Sequence, residues 1–173
     1  MSNVILLLNR VLLDTSNLFV SRDPSKLVNC CEAIKSLIYP FKYEVIYVPH
    51  LPKAFFEILE VPAVFMLGVE EKLYEEASGL VKDDAWVIDL DNDDVRQNAA
   101  PGNVQSSKLC SDEIPELPNH MQKQLAHKLG QIRKNAKKER RLLDEHEVKQ
   151  VRECFFELFA DLLRHYYEGV KKS

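Results

Sequence analysis

The sequence predicts an α/β fold: a mainly parallel sheet with helices on both faces, followed by an α-helical C-terminal region. Two observations carry this. In the first half, short apolar runs rich in Val and Ile alternate with segments of helical spacing. Such runs, apolar throughout rather than at every second residue, suit strands buried on both faces of a βαβ sheet. In the last third, apolar residues recur every three or four positions over a long stretch, which suits amphipathic helix.

Taken in order, Val11 to Leu13 extends an apolar run ending at Asp14 and reads as a buried strand. Asp23-Pro24 starts a helix, since Asp caps free amides and Pro loses nothing at the first helical position. Leu27, Cys30, Cys31, Ile34, Leu37 and Ile38 mark its apolar face, and Pro40 stops it. Glu44–Val48 is the next strand, with Val, Ile and Tyr character. Pro49-His-Leu-Pro52 is a rigid turn, and Pro52 starts a short helix over Lys53 to Leu59. Ala63–Leu67 is a buried strand closed by Gly68. Glu70 to Ala77 is helical, and Ala85–Asp89 is a further strand. Asp91 to Asp93 forms a turn into a short hairpin strand at Val95. Strand order is not legible from this pattern.

The stretch from Gln97 to Glu113 changes character. It is polar, contains Pro101-Gly102 and lacks periodicity, so it reads as a loop. Pro118-Asn119 opens a helix through about Ile132. Val148, Val151, Cys154, Phe155, Leu158, Phe159, Leu162 and Leu163 form a wide stripe, extended by Tyr166 and Tyr167. The expected organisation is an α/β core over 1–96, a linker over 97–117 and a helical region over 118–173.

With 46% apolar and 29% charged residues the chain has the makings of a core, and a net charge of −4 offers no global attraction to nucleic acid or to an anionic membrane. The run Val4 to Leu8 is too short for a signal sequence or a membrane span. Cys30, Cys31, Cys110 and Cys154 form no C-x-x-C pair and read as reduced thiols serving as small apolar residues. His50, His120, His127, His146 and His165 show no metal-ligand spacing. Asp89-Leu-Asp-Asn-Asp-Asp94 begins like a calcium loop. Asp94 stands where that loop needs glycine and Ala100 where it needs glutamate, so a solvated turn is expected. No phosphate-cradling glycine motif surrounds Gly68, and no cofactor is expected. Lys134-Asn-Ala-Lys137-Lys138-Glu139-Arg140-Arg141 is a basic run between two helices. It reads as a solvated face, with contact to anionic lipid as the sharper alternative.

Between Tyr39 and Gly68 the sequence becomes specific. Leu37-Ile-Tyr39-Pro40-Phe41 is followed by Tyr47-Val-Pro49, Leu51-Pro52 and Pro62-Ala-Val-Phe65-Met-Leu-Gly68. This order of prolines, aromatics and glycine resembles the core of the DENN domain family. Leu7-Leu-Asn-Arg-Val11-Leu-Leu13 and Val87-Ile-Asp89-Leu-Asp91 are similar to further strands of that family. Ile114-Pro-Glu-Leu-Pro118 and Val151 to Phe159 resemble its downstream helical part. One departure is Lys42-Tyr43, where the family usually carries a larger aromatic such as Trp.

The resemblance implies part of a guanine nucleotide exchange factor for a Rab-type small GTPase. Such a module performs no bond chemistry, so no catalytic residue is expected. It also implies an upstream longin-like lobe that would precede Met1, so the chain reads as a fragment of an exchange factor or as a divergent single-lobe protein. The implied location is cytoplasmic, with peripheral recruitment to vesicle or endosomal membranes, through Lys134–Arg141 if through any segment. The alternative is a non-catalytic interaction or scaffold domain of the same fold. Tyr39, Pro40, Phe41, Pro49, Leu51, Pro52, Pro62, Phe65 and Gly68 are expected to specify turns and packing rather than to mark the partner surface.

Overall fold

The structure, a computed structural model, describes residues 2–98 and 117–170. The elements run α1 (Ser2–Leu12), β1 (Asn17–Ser21), α2 (Pro24–Leu37), β2 (Ile46–Val48), a 3₁₀ helix (Lys53–Leu59), β3 (Phe65–Glu70) and α3 (Glu71–Ser78). They continue with β4 (Trp86–Asp89), β5 (Asp94–Gln97), α4 (Asn119–Lys138) and α5 (Glu145–Val170). The expected linker falls almost entirely outside the described residues.

The sheet order is β2-β3-β1-β4-β5. β1 pairs in parallel with both β3 and β4, β2 pairs in parallel with β3, and β5 runs antiparallel to β4. Side chains alternate between two cores, as the strand period requires. Phe19, Met66, Trp86 and Ile88 face α1, α2, α4 and α5, and bury Leu27, Cys31, Ile34, Leu125, Leu129, Phe155 and Phe159 with them. Leu18, Val20, Phe65, Leu67, Val69 and Val87 face the other way, onto Phe56 and Leu59 of the 3₁₀ helix and Ala77 of α3. The mainly parallel sheet and the helical C-terminal region therefore stand as the sequence predicts.

Three expectations are corrected. Val11–Leu13 is not a strand, because residues 2–12 form α1. Apolar runs fit either period when short. Here Ile5, Leu8 and Val11 share one buried face while Val4 and Leu13 are exposed, and leucine-rich composition favours helix. The helix ends where Asp14 takes a left-handed φ of 50°. There the Asp14 N–H donates to the Val11 carbonyl at 3.2 Å and the Thr15 N–H to the Arg10 carbonyl at 3.1 Å, closing the end. The strand itself is Asn17-Leu-Phe-Val-Ser21, all five residues buried at the centre of the sheet.

Gly68 does not close its strand. It lies inside β3, because the turn after β2 crosses it closely. The Leu51 N–H donates to the Gly68 carbonyl at 2.7 Å. A Cβ on Gly68 would lie 2.0 Å from the Pro49 carbonyl oxygen and 3.3 Å from Leu27 Cβ. Glycine inside a strand marks such an approach. Finally, α4 runs past Ile132 to Lys138, so five of the eight residues of the basic run, Lys134 to Lys138, are helix.

α2 forms over Pro24–Leu37, with the Ser25 N–H donating to the Asp23 carboxylate at 2.9 Å. A cis Tyr39-Pro40 bond follows it. α4 and α5 pack on each other, α5 against α2 and α4 against α1.

Candidate functional site

Four parallel strands send their carboxyl ends to one edge. Open α/β sheets bind partners at that edge, where successive connections leave on opposite faces. Here β1 continues into α2 on one face and β3 into α3 on the other. β1 and β3 are neighbours, so their ends define the switch point.

The residues delivered there are polar and charged. Ser21 ends β1 and Arg22 follows it, Glu70 ends β3, Glu71 and Lys72 open α3, Asp89 ends β4, and His50 follows β2. Arg22 grips Glu71 with two nitrogens, at 2.6 and 3.1 Å. Lys26, one turn into α2, reaches Asp91 at 2.7 Å. Asp91 also accepts from the Arg22 backbone N–H at 2.7 Å and the Ser21 hydroxyl at 3.2 Å. Glu70 holds Lys72 at 2.6 Å and the His50 ring at 3.0 Å.

These contacts set the protonation states. Lys26 and the Arg22 and Ser21 donors pull the Asp91 carboxyl down to about 2. Lys72 and His50 hold Glu70 below the usual carboxylate range. Burial works against ionising Asp89, yet the Asn92 side chain and the backbone N–H groups of Asn92 and Asp91 outweigh it and keep its pKa low. Glu71 raises Arg22. Asp89 accepts from both amides at 3.0 Å and from Asn92 Nδ2 at 2.8 Å, so it caps the β4–β5 turn. The calcium-like string is thus the lock that joins the ends of β4 and β1. Among the described residues no group of three or more His, Cys, Asp or Glu could hold a metal ion.

The signature residues fall into two clusters elsewhere in the fold. Tyr39, Pro40 and Phe41 lie beyond the other end of α2 and meet α5. Tyr39 stacks on Phe156 with centroids 6.2 Å apart, and Phe41 meets Phe159 edge-on at 5.1 Å. Pro49, Leu51 and Pro52 make the turn that crosses Gly68, with Leu51 buried. Pro62 precedes β3 at the surface, and Phe65 is buried in the second core. The Pro49–Pro52 turn carries His50 to the edge; the Tyr39 cluster does not reach it.

Arg22, Lys26, Glu70, Glu71 and Lys72 match no motif, so sequence reasoning passed over them. Their signal was positional: each sits at or just beyond the end of a parallel strand, or one turn into the helix after it. Cys31 is buried, and burial pushes its thiol up to about 12 and that of Cys30 to about 11. Both therefore stay protonated and inert at neutral pH. Cys110 lies outside the described residues. Of the basic run, Lys134, Lys137, Lys138 and Arg140 are exposed, whereas Arg141 is bound by Glu139, Asp144 and Glu147.

A mainly parallel sheet with helices on both faces, whose carboxyl edge presents charged side chains engaged with one another, defines an α/β domain. The chain belongs to the DENN domain family: the family's model, the DENN (AEX-3) domain, matches residues 1–93. Among its relatives, DENN domain-containing protein 2A of Mus musculus is 31% identical over 121 residues, 70% of this chain and 11% of the relative. DENN domain-containing protein 2C of Homo sapiens is 26% identical over 157 residues, 90% of this chain and 16% of the relative. Elicitor of plant defense protein 1 of Fusarium odoratissimum is 30% identical over 101 residues, 58% of this chain and 11% of the relative. The chain thus spans between 11% and 16% of the length of these relatives. No helix among the described residues is long and apolar enough to cross a membrane.

Proposed function

We propose that the chain is part of a guanine nucleotide exchange factor for a Rab-type small GTPase, promoting GDP release in membrane trafficking. The family match over residues 1–93 is the observation that carries this reading. Residues 1–96 would be the central part and 118–173 the downstream part of the module, with an upstream longin-like lobe completing the grip.

The mechanism is linkage. A partner that binds the empty GTPase better than the GDP-bound form lowers apparent GDP affinity by the ratio of the two affinities. Switch loops are ordered by phosphate and magnesium contacts, so holding them elsewhere weakens the nucleotide site. The carboxyl edge is our choice for the contacting surface. The side chains of Arg22 and Glu71 are 72% and 42% exposed, so they can exchange partners with charges on a docked protein at little desolvation cost.

The test is release of a fluorescent GDP analogue from a panel of Rab GTPases, by this chain and by the same chain joined to an upstream longin-like segment. One lobe cannot displace both switch regions, so the chain alone should bind weakly and exchange little. The joined form should exchange much faster, and Glu71→Arg should slow it. Strong exchange by the chain alone refutes the two-lobe argument. No exchange by the joined form on any Rab assigns the domain to a scaffold role.

A further inference from the structure

The corner where α4 turns into α5 has a composition of its own. Arg133, Lys134, Lys137 and Lys138 stand at i, i+1, i+4 and i+5 of α4. At 3.6 residues per turn they fall within an arc of about 140°. All four are exposed, while Leu125, Leu129 and Ala136 are buried on the opposite side. Among the described residues none of these four, nor Arg140, pairs with a carboxylate.

The turn itself is braced from both sides. Arg140 takes a left-handed φ of 52°. Its N–H donates to the Lys137 carbonyl and the Arg141 N–H to the Ala136 carbonyl, each at 3.2 Å. That cap ordinarily places glycine where Arg140 stands. On the far side, the Glu147 N–H donates to the Asp144 carboxylate at 2.8 Å and the Asp144 N–H to Glu147 at 3.1 Å, a capping box for α5. Arg141 clamps the two sides by gripping Glu147 at 2.6 and 3.0 Å. Between these braces Leu142 is 91% exposed and Leu143 40%. The loop therefore holds leucine out in water instead of folding it away.

We infer that this corner seats the protein on an anionic lipid bilayer. Leu142 and Leu143 enter the headgroup layer, and Arg133, Lys134, Lys137, Lys138 and Arg140 meet lipid phosphates. The nearby acids offset this charge only in part. From Arg133 to Glu147 six Lys and Arg face four Asp and Glu, a net of +2, and three of those acids, Glu139, Asp144 and Glu147, lie against Arg141. The chain as a whole carries −4, so the corner is a basic pole on an acidic protein. An apolar tip together with several basic residues supplies the two signals that stable peripheral binding needs. A soluble acidic protein would satisfy the lysines and arginines but gives no reason for a braced, exposed leucine. This inference stands apart from the exchange reading.

The experiment is flotation of the whole chain with phosphatidylcholine vesicles, with and without 30% phosphatidylserine, at two salt concentrations. The chain should float with the anionic vesicles, float far less with neutral ones, and lose binding as salt rises. Arg140→Gly removes one charge at a backbone position that favours glycine, so it should unfold at or above the wild-type midpoint. It should nevertheless bind about fivefold more weakly, the equivalent of about 1 kcal/mol. Leu142→Ala touches a side chain outside the core and should weaken binding about tenfold. No flotation with anionic vesicles, or equal flotation with neutral ones, overturns the inference. If Arg140→Gly weakens binding and Leu142→Ala does not, charge alone holds the corner to the anionic surface and the inserted-leucine seat is wrong.

Discussion

Gly68→Ala is a sharp test of how the signature turn and the sheet fit together. A Cβ at residue 68 would stand 2.0 Å from the Pro49 carbonyl oxygen and 2.9 Å from its carbonyl carbon. Both are backbone atoms, so no side chain can rotate away. The turn must lift, and lifting it threatens the 2.7 Å bond from the Leu51 N–H to the Gly68 carbonyl. Leu51 is 1% exposed and would be drawn from the second core. Overpacking costs typically 1–3 kcal/mol and more where backbone must shift, and a strained hydrogen bond adds about 1 kcal/mol. We expect a loss of about 3–4 kcal/mol in urea unfolding, a large share of the roughly 5–15 kcal/mol a domain has. Gly79→Ala is the internal control. Its Cβ would meet nothing within 4 Å, and its φ of −72° suits alanine. That change should be neutral or stabilise by about 0.4–1 kcal/mol. A Gly68→Ala loss below about 1 kcal/mol, or no gap between the two variants, would refute the close-crossing argument.

Phe65 is fully buried on β3, so Phe65→Ala should cost about 3–5 kcal/mol in the same assay. Phe159, 1% exposed and in edge contact with Phe41, should cost a similar amount as alanine, whereas Tyr39→Ala, at a side chain left 66% exposed, should cost under about 1 kcal/mol. The Asp91 carboxyl is depressed to about 2 in the folded chain. Its contribution is therefore full above the usual value near 4 and disappears as pH falls through about 2. In acid titrations followed by circular dichroism, Asp91→Asn should lower stability at neutral pH and flatten the pH dependence between those values.

Much of the fold was legible because local chemistry agreed with tertiary context. Asp23-Pro24 and Pro40 bracket α2 by capping and by proline sterics, and the helix runs between them. Phe65 to Leu67 is apolar at consecutive positions because β3 is covered on both faces. The failures have physical causes too. Residues 4–13 hold two short apolar runs, Val4–Leu8 and Val11–Leu13, split only by Asn9 and Arg10 and with no breaker, and short runs of that kind carry no clear period until one knows which side is covered. β1 escaped because Ser16, Asn17 and Ser21 make the central strand look like a loop. Asn17 is fully buried, its side-chain amide donating to the Thr15 carbonyl at 2.6 Å. β1 stands at the centre of the order with parallel neighbours β3 and β4 on its two sides, so missing it also hid the switch point and the edge residues that follow it.

The two clusters of signature residues acquire a common sense through α2. Its fourteen residues span about 21 Å at 1.5 Å per residue. At its start Lys26 binds Asp91 and Asp23 caps the helix beside the carboxyl edge. Beyond its end, Tyr39 and Phe41 lie against Phe156 and Phe159 of α5. Along its length Leu27, Cys31 and Ile34 are buried against the sheet and the C-terminal helices. A helix packed along its whole face moves as a rigid rod or not at all. The position of the edge is therefore set from both sides, by the sheet beneath it and by the aromatic contact with α5 at the far end of the rod. In this fold the downstream helices are part of what holds the edge in place, and Tyr39 and Phe41 take part in that through their contacts with α5.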